Sequence, residues 1–285
     1  MKRDFCLGSE WLYYKIYTGV KTADIILLEK LNPVIQELRD ENKIQKWFFI
    51  RYKDPEEHLR IRIYCANSEN TSLIIAQLYP VLNTLLQDNI VWKVQTDTYQ
   101  REMERYGKNT IEDSETLFWQ DSEMILNYLS LKLNFTKNKM ELIFSFLSID
   151  SFLNSFSLSN IQKLTLMDEL QASFKKEFDA DKTLKKEMAN HYKELSQEVQ
   201  FFLSGTALND FPKIYVAIQE KQNQTNKTIL LIKDKLTIPL SDFLMSHIHM
   251  MMNRQYTSKQ RMYELLIYDH LFRYYKSIEH FKTNK

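Results

Sequence analysis

Glycine is scarce in this sequence: four residues in 285, where ordinary usage of roughly 7% would supply about 20. No G-x-G-x-x-G and no G-x-x-x-x-G-K-[ST] can therefore be written, which excludes nucleotide cradles made of Gly-rich backbone. Proline is as thin, at five, and the two shortages together exclude collagen-like and low-complexity linker architectures. Cysteine occurs only as Cys6 and Cys65, too few for a disulfide scaffold. Charge of one sign is missing as well. The 38 Lys+Arg against 37 Asp+Glu leave a net +1, which argues against a protein that grips nucleic-acid backbone over a broad surface. No apolar run approaches the roughly 18 residues of a membrane span, and Met1-Lys2-Arg3-Asp4-Phe5 opens no signal-peptide h-region. The expectation is a soluble, cytoplasmic protein.

What is present is a hydrophobic fraction of 44% and an aromatic fraction of 13%, ample for a sizeable core. Trp11 to Tyr17 is aromatic and β-rich and stops at Thr18-Gly19. From Ala23 to Glu41, Ile25, Leu28, Leu31, Ile35 and Leu38 follow helical spacing. Trp47 to Tyr52 reads as a buried strand ending at the turn Asp54-Pro55, and Leu59 to Tyr64 alternates strictly. Ser72 to Leu86 is helical again, and Ile90 to Tyr99 returns to strand. After an irregular polar segment from Gln100 to Asp113, helices are expected near 114–133, 137–157, 159–180, 184–204, 210–223, 239–255 and 258–281. Asn223 to Asn226 reads as a polar connector. Thr228 to Ile238 reads as a β-hairpin, although Leu230, Leu231 and Ile232 equally suit an extended helix. The expected fold class is α+β in one unit over 1–285: a mixed sheet with helices in 1–113, and a mostly helical part, 114–285, packed on it.

Three clusters carry candidate chemistry. In His58 to Arg62 a strand turns Leu59, Ile61 and Ile63 inward and gives Arg60, Arg62 and Tyr64 the other face, the arginines roughly 6.5–7 Å apart. Two guanidinium forks at that spacing suit a carboxylate or phosphate. An ordinary solvated strand face would read the same way. In Tyr99 to Gly107, a helical turn would put Glu102 with Arg105, and Arg101 with Arg105, on one face. This segment follows a strand end and holds one of the four glycines; the plain alternative is a surface ion-pair patch. In Ser246 to Arg254, His247 and His249 point roughly 200° apart on a helix and cannot serve one site. His249 and Asn253, one turn apart, would share a pocket with Arg254 at its edge. With no His-Glu-x-x-His and no Cys-x-x-Cys, no metal site is expected.

Taken in order, Trp11–Gly19, Trp47–Pro55, His58–Arg62, Tyr99–Gly107, Phe118–Ser122 and His249–Arg254 resemble the thiopeptide-type bacteriocin biosynthesis domain. That is the C-terminal, glutamate-eliminating domain of lanthipeptide dehydratases such as the nisin dehydratase, and the resemblance runs from Trp11 to about Tyr275. It implies a split dehydratase. A separate glutamyl-tRNA-dependent protein would esterify Ser or Thr of a precursor peptide with glutamate, and this chain would expel the glutamate, leaving dehydroalanine or dehydrobutyrine.

The resemblance further implies Arg60, Arg62, Glu102, Arg105 and His249 as elimination residues, with Arg51, Tyr99, Arg101, Asn253 and Arg254 binding substrate. Its implied partners are the glutamylated peptide, the glutamylating subunit and a lanthionine cyclase; no metal, nucleotide or other cofactor and no direct nucleic-acid contact is implied. Within the same fold the alternative is a pyridine synthase joining two dehydroalanines by a formal [4+2] cycloaddition. From another class, the alternative is a non-catalytic protein that docks the precursor peptide. Lys108 and Gln255 depart from the pattern, where glycine and an apolar residue are common.

Overall fold

The computed structural model describes residues 1–132 and 139–283. The strands are β1 (Asp4–Phe5), β2 (Trp11–Tyr17), β3 (Lys46–Lys53), β4 (Glu57–Tyr64), β5 (Lys93–Thr96) and β6 (Tyr99–Gln100). Interleaved with them lie α1 (Val20–Ile25), α2 (Asn32–Asp40) and α3 (Thr71–Gln87), a π-helical stretch at Ile26–Leu31 making α1 and α2 continuous. Then come α4 (Met103–Tyr106), α5 (Ile111–Lys132), α6 (Lys139–Ser155), α7 (Asn160–Glu177), α8 (Lys182–Leu203), α9 (Pro212–Lys235), α10 (Leu240–Gln255) and α11 (Gln260–Thr283).

The class is α+β, as its patterning indicates, but the sheet is not mixed. β3-β4-β2-β5 form one sheet and β1-β6 a ribbon, and all pairings are antiparallel. Only β3 and β4 are joined by a short hairpin; the β2–β4, β2–β5 and β1–β6 pairs are brought together by longer segments carrying the helices. The expected strand over 90–99 is broken into β5 and β6, and the polar segment after it contains the single turn α4. The hairpin expected at 228–238 is helix, and the expected connector at 223–226 lies inside α9. Here Lys221, Thr225, Ile229 and Ile232 form a buried stripe at helical spacing, while Asn223, Gln224 and Asn226 face water. The expected break at 133–137 lies outside the described residues.

Register decides which side chains share a face. Tyr13 pairs with Arg62, and Arg62 with Phe48; Lys15 pairs with Arg60, and Arg60 with Ile50; Tyr17 pairs with His58, and His58 with Tyr52. These residues line one side of the sheet. The opposite side carries Leu12, Ile16, Phe49, Leu59, Ile61 and Ile63 into the core, each side chain contributing roughly 1.5–3 kcal/mol on burial. The outer edge of β3 is closed by side chains. Ser122 of α5 accepts the Phe49 N–H at 3.2 Å. Asn253 of α10 accepts the Arg51 N–H and donates to the Arg51 carbonyl, both at 2.9 Å. Two helices are thereby fixed against the strand that borders the arginines.

Candidate functional site

Arg60 and Arg62 sit on the sheet face with no carboxylate partner among the described residues. The Arg62 guanidinium lies 4.5 Å from the Tyr13 ring centroid, 5.0 Å from Tyr99 and 5.3 Å from Phe48. Its buried Nε has no hydrogen-bond acceptor. Arg60 stacks on Tyr52 at 3.4 Å and donates from Nε to His58 Nε2 at 3.1 Å. His58 can accept because burial, and then the charge of Arg60, push its protonation below the ordinary histidine range, while its Nδ1–H donates to the Glu56 carbonyl at 2.8 Å. Aromatic faces attract these cations without neutralising them.

Arg62 opens into a small cavity of about 40 Å³ that also exposes Phe48, Ile50, Tyr99, Glu102, Met250 and Arg254. Arg254 is buried, over the Phe118 ring, donating to the Met250 carbonyl at 2.9 Å and to Ser122 at 3.3 Å. Its nearest carboxylate, Asp121, lies at 3.8 Å and is itself held by buried Lys221 at 2.5 Å. At the mouth, Glu102 pairs with Arg105 at 3.2 Å, both largely exposed. Gly107 ends this segment at φ +78°, where a Cβ would meet Thr110 Oγ1 at 2.5 Å. Only glycine fits there, so the loop position of Glu102 and Arg105 depends on it.

A second, wider cleft of about 540 Å³ lies beside it, bordered by Arg51, Tyr52, His249, Asn253 and the turn into α11. His249 Nδ1 is 2.8 Å from Oε1 of fully buried Glu264. Glu264 also receives the Tyr268 hydroxyl at 2.8 Å, and Gln260 and Arg261 at 3.3 Å each. A carboxylate accepting at Nδ1 favours the hydrogen on that nitrogen, the tautomer whose Nε2 is the proton-accepting atom. The side chain is one-third exposed, so the free nitrogen is within reach of a substrate. Along the sheet, Arg60 stands one register step from Arg62 toward Tyr52, and Tyr52 borders this cleft.

The expected residues divide among these places. Arg62, Glu102, Tyr99 and Arg254 meet at the cavity, and Arg51, His249 and Asn253 at the cleft. Arg254 does not edge the His249 pocket as expected. Consecutive helical positions point about 100° apart, so Met250 and Arg254 face the cavity while His249 and Asn253 face the cleft. Arg101 and Arg105 do not share a face, because Arg101 precedes the short α4. Arg101 is buried and grips Glu115 with Nε and Nη2, both at 2.7 Å, a fork that ties β6 to α5. Tyr99 lends its ring to the cavity wall but donates its hydroxyl to Glu115 at 3.0 Å; burial, then the Glu115 charge, hold that hydroxyl protonated. Arg51 donates to the Arg254 carbonyl at 2.9 Å and pairs with Asp24 at 2.5 Å. Gln255, a departure from the pattern, is buried and donates to the Glu141 carbonyl at 2.7 Å.

Sequence reasoning missed Glu264, Asp121 and Lys221. For Glu264 a signal existed: it stands in the stripe Glu264, Tyr268, Leu271, Tyr275, a carboxylate where the helix is otherwise buried. Among the described residues no three His, Cys, Asp or Glu side chains gather in a metal-binding group, and no helix is long and apolar enough to cross a membrane. Both cysteines are free.

Among curated proteins the chain is similar to the subtilin biosynthesis protein SpaB of Bacillus subtilis, 28% identical over 188 residues, which are 64% of this chain and 18% of that protein. It is 36% identical to the nisin biosynthesis protein NisB of Lactococcus lactis subsp. lactis over 124 residues, 43% of this chain and 12% of the relative. The chain thus spans less than a fifth of the length of these relatives. Among solved structures, the tRNA dependent lantibiotic dehydratase MibB from Microbispora sp. superposes with a TM-score of 0.72 at 18% identity, over 94% of this chain and 28% of that one. The pyridine synthase TbtD from thiomuracin biosynthesis gives 0.66 at 12% identity, over 94% of this chain and 100% of that one. At these identities both structures show a shared fold. The model of the lantibiotic biosynthesis dehydratase C-terminal family matches residues 11–275, nearly the whole chain, and the chain belongs to that family.

Proposed function

We propose that this chain eliminates glutamate from glutamylated Ser or Thr of a precursor peptide. The observation that carries the reading is the pair Arg60 and Arg62, two neighbouring cations on one sheet face that rest on aromatic rings and form no ion pair with a carboxylate among the described residues. The reaction produces a carboxylate and passes through negative charge on the substrate carbonyl, and preorganised guanidinium groups stabilise both.

In the proposed step, His249 Nε2 takes the Cα proton. The C–H electrons form the Cα=Cβ bond, the Cβ–O bond breaks, and glutamate leaves as a free carboxylate. Glu264 holds the imidazole in the tautomer that can accept and stabilises the imidazolium that forms. Arg62 would meet the glutamyl carboxylate at the mouth of the small cavity, with Arg254 adding positive charge behind it, Arg60 would face the charge developing beside the cleft, and Glu102 the glutamyl ammonium. Arg105, paired with Glu102, would be drawn onto the leaving carboxylate. Arg51 and Asn253 shape the cleft through backbone hydrogen bonds. A glutamyl-tRNA-dependent activity must supply the substrate, since nothing in this step activates the hydroxyl.

The test is a synthetic peptide carrying a glutamyl ester on Ser or Thr. The protein should release free glutamate and leave a dehydrated peptide by mass spectrometry, and His249→Ala should slow this by about 10²–10⁴-fold, the usual worth of a general base. Full dehydration by the variant would remove His249 from the mechanism. Absence of glutamate release by the unaltered protein, with consumption of a bis-dehydroalanine peptide, would favour the cycloaddition alternative, for which two carboxylate-free arginines have no glutamyl group to hold.

A further inference from the structure

The turn at 256–259, where Lys259 takes φ +53°, borders the His249 cleft and also a second depression between α8 and α11. This groove, about 390 Å³, is lined by Leu184, Met188, Lys259, Met262, Leu265 and Leu266, with the ring of Tyr263 between. Lys259 and Met262 line both hollows, so cleft and groove adjoin at these two side chains. We propose that the groove receives apolar side chains of the substrate peptide flanking the Ser or Thr that reacts at the cleft, and thereby reads the peptide beyond the reacting residue. The proposal rests on the functional reading above and names the part of the substrate that this site recognises.

Three observations select a peptide's apolar side chains as the occupant. The two hollows share Lys259 and Met262, so a chain with one residue at His249 has its neighbouring residues placed to reach the groove. The volume falls within the roughly 300–1,000 Å³ of ligand clefts, and the lining offers one ammonium and one hydroxyl to a ligand, so a charged or polar neighbour would lose hydration there without replacement. The methionines are unbranched and repack around side chains of differing shape, which suits flanking residues that vary from site to site. Met262 is 46% exposed, apolar surface that such a side chain would remove from water.

The experiment uses two synthetic glutamylated peptides, alike except that the residues flanking the modified Ser are Leu and Ile in one and Ser and Gly in the other. Leu184→Glu is the variant. Position 184 is the third residue of α8, where the N-cap Asp181 side chain accepts its N–H, and a glutamate there suits the helix N-terminus. The ratio of kcat/KM for the apolar over the polar peptide should fall about tenfold, with the change in KM, while turnover of the polar peptide reports a folded protein. An unchanged ratio overturns the proposal. Fluorescence anisotropy with the unglutamylated, labelled peptides separates this from the functional reading. If the unaltered protein releases no glutamate yet binds the apolar peptide about tenfold tighter, and Leu184→Glu abolishes that preference, the reaction assigned above is wrong and the groove stands. Equal affinity for both peptides overturns the groove. So does a dimer in sedimentation that Leu184→Glu dissociates, which would give the groove to a second copy of the chain.

Discussion

Arg62 and Arg101 attend opposite ends of one tyrosine. Arg62 rests near the ring of Tyr99, and Arg101 shares Glu115 with the Tyr99 hydroxyl. Arg101 is spent: its fork is filled by Glu115, with Glu112 and the Lys2 carbonyl taking Nη1. Arg62 meets aromatic faces and has a buried Nε with no acceptor. The same side chain is a structural clamp where a buried carboxylate waits and an available cation where one does not. Charge alone therefore says little about which arginines can bind a substrate; the partner decides.

The largest expected effect breaks the clamp. Arg101→Ala leaves Glu115, whose protonation burial already pushes upward, without its main counter-charge, and should cost about 3–5 kcal/mol in urea denaturation. Next, Arg62→Ala should leave stability far less changed but lower glutamate release by about 10²–10³-fold, the range for removing one preorganised donor. A variant as unstable as Arg101→Ala would erase the contrast between the two arginines.

Acid should act on the buried side of the molecule. His247 lies among Tyr106, Phe118 and Phe243, and burial, then Lys221 and Arg254, drive its protonation far below the ordinary histidine range. The unfolded chain binds that proton near pH 6.5, so the contribution is complete above this pH. It is lost on acidification, about 1.4 kcal/mol by pH 5.5. His247→Gln should flatten the fall in stability between pH 7 and 5.5. The smallest expected effect belongs to the exposed rim: Arg105→Ala should shift stability by no more than about 1 kcal/mol while slowing glutamate release. Unaltered release would return Glu102–Arg105 to an ordinary surface pair.

Period-two alternation in β4 and helical spacing in α3, α10 and α11 were legible because they depend on local geometry alone. The run through 223–226 was misread because its composition is polar; a helix tolerates this when its buried stripe, Lys221, Thr225 and Ile229, is continued on one face. Lys221 can be buried there only because Asp121, a hundred residues earlier, meets it. No spacing in α9 announces that partner.

The amino-acid order by itself determined that Arg60 and Arg62 share a strand face, that His247 and His249 part company, and that Gly-cradled nucleotide chemistry is excluded. Tertiary structure decided the rest: that Arg62 has no carboxylate partner among the described residues, that Arg101 is consumed by Glu115 while Arg51 pairs with Asp24, and that His249 meets Glu264. The physical reason is range. A face of a strand or helix is set by a few consecutive dihedrals, whereas an ion pair or its absence is set by which distant segment packs against that face.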